Sequence, residues 1–420
     1  MQAVKNLCSY VCYVLRQDKY LLICLVIDII ILIYTIISRR KITDESTLFL
    51  IIIGFIISYV WPVVNIMSHF SILKREKRGC PLNSLIKNDE GKKDFKNFIK
   101  INPELTKGTY SYTRDDDKGI LENKEIGEIL TKNEKPIRLE LVDDRRKKTR
   151  HYINQYRSTL LKFLNHKWYD VKQNGGKFTN DKKICFVSEL YDDNGELYWK
   201  IIKGDYYNTY LTNVIFTKFI GGSEYSLYPP FNSTNTVVGH LGDSIFSDHI
   251  GVSTILYTKD NHFIYCQQMG NTAQYANKYM PSGSGSLDFK DYHEGDDLYT
   301  VVVRGAEREL FEETSLGKLF TKKKRQKLGI EITTSVLCYY RDLERAGKPE
   351  FCCISKINKP KGYIVNKVLP QAKELADIKW AQFNPEKDNS EWESKILPTA
   401  SLSLKMNYNS LREFLKREVK

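Results

Sequence analysis

The sequence predicts an α/β protein that opens with a two-helix transmembrane hairpin, passes through a small β-rich module and ends in a larger α/β domain. Three observations lead there. Tyr20–Ser38 and Leu48–Val64 are two almost unbroken apolar runs. Between residues 183 and 268, runs of strand composition are separated by turn signals. An acidic helical pattern, Glu307–Glu313, follows a glycine-rich stretch at 281–286.

Each apolar run is long enough, at about 1.5 Å per helical residue, to cross a hydrocarbon core of about 30 Å. A cleaved signal peptide is the competing reading of the first run, but Arg39, Arg40 and Lys41 follow it instead of a small-residue cleavage site. The connector is short, so both chain ends fall on one side. Lys5, Arg16 and Lys19 before the first run, with Lys74, Arg75, Lys77 and Arg78 after the second, place both termini in the cytoplasm. Asp28 lies near the middle of the first run. Either it meets another protomer or lines a water-filled path, or it is protonated and tolerated singly.

The formal net charge of +13 points to an anionic partner: lipid headgroups, nucleic acid or a phosphorylated small molecule. Part of that excess is the juxtamembrane cluster Lys74–Arg78, which orients a hairpin without binding anything specific. The nine cysteines are scattered, without zinc-ligand spacing or a dense disulfide framework, which fits reduced thiols. The adjacent Cys352 and Cys353 would point to opposite faces of a strand as packing residues.

These features divide the chain at 1–70, containing the two spans (20–38 and 48–64), 71–138, a connecting segment, 139–238, a helix plus the small β-rich module, and 245–410, the last domain. Leu139–Tyr169 reads as helix from the spacing of Ile153, Tyr156, Leu160, Leu161 and Leu164. Lys183–Leu190 and Leu197–Lys203 read as strands around the turn signal Asp192-Asp193-Asn194-Gly195. His249–Tyr257 and His262–Gln268 form a second hairpin around Lys259-Asp260-Asn261.

The chemistry concentrates in Gly305-Ala306-Glu307-Arg308-Glu309-Leu310-Phe311-Glu312-Glu313-Thr314-Ser315-Leu316. On a helix Glu309, Glu312 and Glu313 share one face, and three converging carboxylates suit a hard divalent cation such as Mg²⁺. An acidic amphipathic helix without a metal is the alternative. Arg308, four residues before Glu312, is placed to hold that side chain. Upstream, Pro281-Ser282-Gly283-Ser284-Gly285-Ser286 is either a backbone cradle for a phosphate or a flexible surface turn.

These residues resemble the Nudix signature, which ends in Arg-Glu-apolar-x-Glu-Glu-x-Gly-apolar. Arg308–Leu316 matches it except that Ser315 stands at the glycine. The resemblance covers roughly 249–408 and implies an α/β/α sandwich. It makes Glu309, Glu312 and Glu313 the metal ligands, and Glu312 and Glu313 the catalytic pair of an active hydrolase. Ser282, Gly283, Ser284, Gly285 and Arg308 would face the ligand. The family's glutamate eight residues before the arginine is replaced by Thr300, with Glu294, Asp296 and Asp297 as candidate substitutes. The spacing from Gly283 to Arg308 is also longer than the family's.

The whole layout resembles the 2TM–Nudix effectors of bacterial CBASS anti-phage systems. That resemblance implies a multi-pass inner-membrane protein. Its Nudix-like domain senses a cyclic nucleotide from a partner cyclase, self-associates as a homo-oligomer and disrupts the bilayer, with no nucleic-acid polymer bound. A membrane-anchored, Mg²⁺-dependent Nudix hydrolase of a nucleoside-diphosphate-type substrate is the competing expectation.

Overall fold

The computed structural model describes residues 10, 13, 100–107, 110–115, 118–143, 147–157, 160–161, 163–164, 167–168, 171, 178–215, 237–268, 278–314, 316, 322–365, 376–383 and 390–419. These fall into two compact units. In the smaller, the helical stretch through Leu160, Leu161 and Leu164 is buried, and the Tyr10 ring stacks on Trp168 with centroids 5.3 Å apart. The larger unit, 92–150 with 181–217 and 228–420, holds the sheets.

Its main sheet has nine strands. At its centre β9 (Gly251–Thr258) runs parallel to β14 (Lys348–Ile357), in register from Gly251↔Glu350 to Thr258↔Ile357. The remaining pairings are antiparallel. β14 pairs with β13 (Ile332–Asp342), then β3 (Lys118–Glu122) and β2 (Ser111–Asp115). On the other side β10 (His262–Gln268) pairs with β9, β11 (Tyr279–Pro281) and β15 (Ala376–Gln382), while β12 (Gly283–Ser286) pairs with β9. Thus Ser111–Asp115 and Lys118–Glu122, in the segment read as a connector, are two strands of the main sheet.

β9 is buried along its whole length, as expected of a parallel strand covered on both faces. Its alternation sorts the covers. Val252 and Leu256 meet the side of α2 (Leu298–Glu313), whose Val301, Val302, Ala306 and Leu310 share their clusters. Ile255 faces Leu404, Tyr408, Leu411 and Leu415 of α3 (Leu402–Val419). Cys352 and Cys353 are buried in different clusters on opposite faces. All five described cysteines are buried, and none is in a disulfide among the described residues.

A second, four-stranded sheet joins β4 (Ile137–Leu141), β7 (Glu196–Asp205), β5 (Lys182–Phe186) and β6 (Tyr191–Asp193). The turn between β6 and β7 places Asn194 at φ 54° and Gly195 at φ 87°, the left-handed pair that a tight hairpin needs. Leu139–Leu141 is strand, and helix begins at Lys147, because pairing with β7 captures those residues. Phe186 stacks on Trp199 at 4.0 Å, and both belong to the core that contains Val252 and Phe351. β1 (Lys100–Ile101) and β8 (Val237–Val238) form a separate parallel pair. α1 (Lys124–Lys132), capped by Asn123, lies on β13.

The transmembrane hairpin is a correction to the expected fold class. Among the described residues no helix is long and apolar enough to cross a membrane. α3 has 18 residues, yet Lys405, Arg412, Glu413, Lys416 and Arg417 interrupt it, and α2 is likewise studded with charge. Residues 20–38 and 48–64, with Asp28, lie outside the described set. The expected multi-pass inner-membrane placement depends on the same spans and has no support from any described helix.

Helix α2 approaches β12 so closely that a Cβ at Gly283 would sit 2.5 Å from the Leu310 nitrogen and 2.6 Å from its Cα. Backbone on both sides leaves no flexible group to yield. Gly283→Ala should therefore lower stability by about 1–3 kcal/mol, the usual cost of overpacking. Gly239→Ala, where a Cβ meets nothing within 4 Å, should change it little. Urea unfolding of both variants checks the contrast.

Candidate functional site

Where α2 lies on β12, the signature residues gather. Gly285 has no Cβ because the Glu309 carboxylate occupies that space. Glu313 accepts a hydrogen bond from the Ser284 backbone N–H at 3.0 Å. Burial, reinforced by the neighbouring Glu309, pushes the Glu313 carboxyl well above the usual range. Burial also raises Glu309, against the pull of Arg308. Glu312 is half exposed, 3.8 Å from Arg308 Nη1. The acidic face of the helix is therefore split into an inner pair and an outer glutamate.

Arg308 keeps the expected ion pair with Glu312 at 3.8 Å, but its hydrogen bonds run inward. Nε donates to Asp291 Oδ1 at 3.0 Å, Nη2 to Asp291 Oδ2 at 2.8 Å and to the Ser286 carbonyl at 2.9 Å, and Nη1 to Glu309 at 2.8 Å. Burial opposes its charge, but the Asp291 hydrogen bonds and the Glu309 field outweigh that and push its pKa up. Asp291 closes the short helical turn Phe289–Asp291 and also accepts from the Asp288 N–H at 2.9 Å. The candidate substitutes for the missing glutamate have other duties. Asp296 pairs with Arg304 at 2.6 Å, Asp297 caps α2 through the Thr300 N–H, and Glu294 is exposed in a turn. Thr300 itself is exposed.

The glycine-rich stretch is a strand instead of a free loop. Ser282 is buried, accepting from the Leu256 N–H at 2.8 Å and donating to the Ile264 carbonyl at 2.6 Å, so it is a structural bolt. Gly283 lies under Leu310. Ser284, Gly285 and Ser286 line a cavity of about 290 Å³, with Glu309 on the same wall.

Sequence reading missed the rest of this cavity. His249 precedes β9, and its Nε2 lies 2.8 Å from Ser286 Oγ. Burial first, then Lys348, Lys183 and Arg345, hold the imidazole well below its ordinary pKa, so it is neutral. Lys348 and Glu350, two residues apart on β14, form a buried ion pair. Burial lowers Lys348, with Glu350 opposing. Arg345, at the tip of the β13–β14 hairpin, stands 3.4 Å from Glu350 and 3.6 Å from Asp342. Its backbone carbonyl accepts from Asn213 Nδ2 at 3.0 Å, which ties the tip to the π-helical turn Tyr210–Val214. No local pattern marks Asp291, Lys183, His249, Arg345 and Lys348 as a group, because they come from four separate stretches.

Among the described residues no group of three His, Cys, Asp or Glu side chains is placed to hold a metal ion. A divalent cation still suits the inner pair. Both carboxyls are raised by burial, and Glu309 raises Glu313 further; added positive charge relieves this, and Mg²⁺ characteristically takes one or two carboxylates plus substrate phosphates. Glu309 and Glu313 would hold it, with Glu312 outside.

The fold and site define a mixed α/β domain carrying a Nudix-like carboxylate helix. No family model matches the chain. No curated relative matches it in sequence. Several solved structures align with part of it. DR0079 from Deinococcus radiodurans does so at 12% identity over 39% of this chain and 82% of that one, with a TM-score of 0.24. A C. elegans Ap4A hydrolase in a binary complex aligns at 19% identity over 40% and 98%, with a TM-score of 0.25. The C. elegans Ap4A hydrolase in another crystal structure gives 19%, 40% and 98%, with a TM-score of 0.23. At such scores the likeness carries no argument, and the resemblance of Arg308–Leu316 to the Nudix signature stands on those residues alone.

Two outcomes test the site. Asp291→Ala strips Arg308 of a partner that is 3% exposed, and should cost about 3–5 kcal/mol in chemical denaturation. Thr300→Glu added to it should restore nothing, since position 300 lies about 12 Å along the helix from Arg308. Separately, burial raises Asp342 from 3.8 to about 7. Between those values the folded chain keeps a proton that the unfolded chain releases, so this group's contribution to stability falls as pH rises from about 4 to about 7. Asp342→Asn should remove that decline, as read from urea midpoints at acidic and neutral pH.

Proposed function

We propose that this chain is a nucleotide-binding protein whose Nudix-like domain takes a phosphorylated nucleotide in the cavity beside α2. The observation that carries the reading is Glu309, fixed by Arg308 on the wall of a 290 Å³ polar cavity that opens against the backbone of β12. A cavity near the lower end of the range for small-molecule sites, about 300–1,000 Å³, accommodates one nucleotide unit more readily than a polymer.

The ligand we favour is a cyclic nucleotide made by a partner cyclase of a bacterial anti-phage (CBASS) system, with the protein as its sensor and ligand-driven self-association as the response. Two features support sensing over turnover. Thr300 stands where the signature has a glutamate, and Arg308 draws Glu309 into a structural clamp. Differential affinity of the ligand for the free and assembled states would drive assembly.

The inner carboxylate pair supports a second reading, hydrolysis of a nucleoside-diphosphate-type substrate. Bound there, Mg²⁺ would polarise the phosphoryl group and acidify the attacking water. Glu309 and Glu313 would orient the substrate's phosphates through it, Arg308 would keep Glu309 from turning away, and the exposed Glu312 would accept the water's proton.

Calorimetry of the full chain with cyclic dinucleotides, cyclic trinucleotides and a dinucleoside polyphosphate, each with Mg²⁺, separates the readings. Sensing predicts saturable binding of a cyclic nucleotide that chromatography recovers intact, with a rise in molecular mass by light scattering. Steady release of cleaved products from the polyphosphate establishes the hydrolase. Absence of binding to every nucleotide rejects both.

A further inference from the structure

The small four-stranded sheet has no role in the reading above, yet its strand β5 is hydrogen-bonded to both edges of the cavity. The Ile184 N–H donates to the Leu287 carbonyl at 3.1 Å, and the Ile250 N–H donates to the Ile184 carbonyl at 3.0 Å. Lys183, the residue before, is thereby fixed opposite Asp288, while Cys185 bridges to His249. The Lys183 side chain is 11% exposed, pairs with Asp288 and lies 5.7 Å above the Tyr206 ring. Lys348 is 1% exposed and Arg345 21%, and all three cations line the same cavity.

We propose that this sheet supplies one wall of a phosphoryl-binding subsite, in which Lys183, with Arg345 and Lys348 from the β13–β14 hairpin, holds an anionic phosphoryl group of the nucleotide. The proposal rests on the nucleotide reading and deepens it by assigning the group that reads the phosphate.

Three long or planar cations from remote stretches have been withdrawn from water toward one empty volume. Desolvating charge is costly, and a purely structural role would be met by their partners alone, Asp288, Glu350 and Asp342. Those carboxylates hold the cations in place. They also leave a surface of mixed sign, which suits a ligand with phosphoryl oxygens and with hydroxyl or amino donors on the same molecule. His249 gives a second, independent indication. It is 3% exposed, it lines the cavity, and its Nδ1 has no hydrogen-bond partner among the described residues. The direction of the Nε2–Ser286 hydroxyl bond depends on the tautomer; in the tautomer in which Nε2 accepts, Nδ1 carries the proton and is an unspent donor that an incoming phosphoryl oxygen would select. All three cations act on this imidazole in the same sense, which marks a positive potential at the cavity wall. A donor without an acceptor, in a positive field, is the complement of a phosphoryl oxygen.

The test is calorimetry of the full chain with inorganic pyrophosphate in metal-free buffer. Lys183→Ala and Arg345→Ala should each weaken binding about tenfold or more, the usual consequence of truncating a buried charge partner. Lys183→Arg should retain it, and Lys200→Ala, on the same small sheet but away from the cavity, should leave it unchanged. Because Lys183→Ala strands Asp288, the double variant Lys183→Ala with Asp288→Asn is measured alongside, with thermal unfolding to confirm folding. Equal pyrophosphate binding by wild type and the folded double variant overturns the subsite, as does absence of pyrophosphate binding by wild type. If a nucleotide still binds wild type and variants alike, only the subsite falls. If no nucleotide binds either, the nucleotide reading falls with it.

Discussion

The close approach of α2 to β12 is the contact on which the rest of the site depends. Gly283 lets the backbone of Leu310 settle against the strand, and Gly285 leaves room for the Glu309 carboxylate. With the helix at that distance, the Ser284 N–H reaches Glu313 and the Ser286 carbonyl reaches Arg308. A larger residue at either glycine would lift the helix and separate the carboxylates from the strand. The charge pattern of α2 is therefore useful only because two residues about 25 positions earlier have no side chain.

Burying two carboxylates under a helix raises the free energy of their charged forms, and the structure answers in two ways. Arg308 neutralises part of the charge and is itself held by Asp291, so the clamp passes from a short turn to the helix. A backbone N–H serves Glu313. The repulsion that Glu309 exerts on the buried Glu313 is what an incoming cation would relieve.

The cavity itself is a product of topology. Its cations arrive from β5, from the tip of the β13–β14 hairpin and from the start of β14, and the hairpin tip is pinned through Asn213 to a π-helical turn. π-Helical turns recur at functional sites because the extra residue re-aims neighbouring side chains. Here the turn contributes Val214 to the cavity wall, and Tyr206, just before it, supports Lys183.

The sequence by itself determined what depends on local spacing. The i, i+4 placement of Glu309 and Glu313 on one helix, the Asn194-Gly195 turn, and the β9 and β10 strands could all be read from local spacing, composition and turn residues, because neighbours along the chain enforce them. Tertiary structure decided everything that depends on distance across the fold. It made the glycine-rich stretch a strand, turned Ser282 into the core and sent Glu312 outward. It chose Asp291 over Glu294, Asp296 and Asp297 as the partner of Arg308, since a carboxylate is selected by the side chain it can reach and not by its count along the chain. It also brought Lys183 to Arg345 across about 160 residues. No local signal encodes that meeting, because it is set by the order in which strands hydrogen-bond.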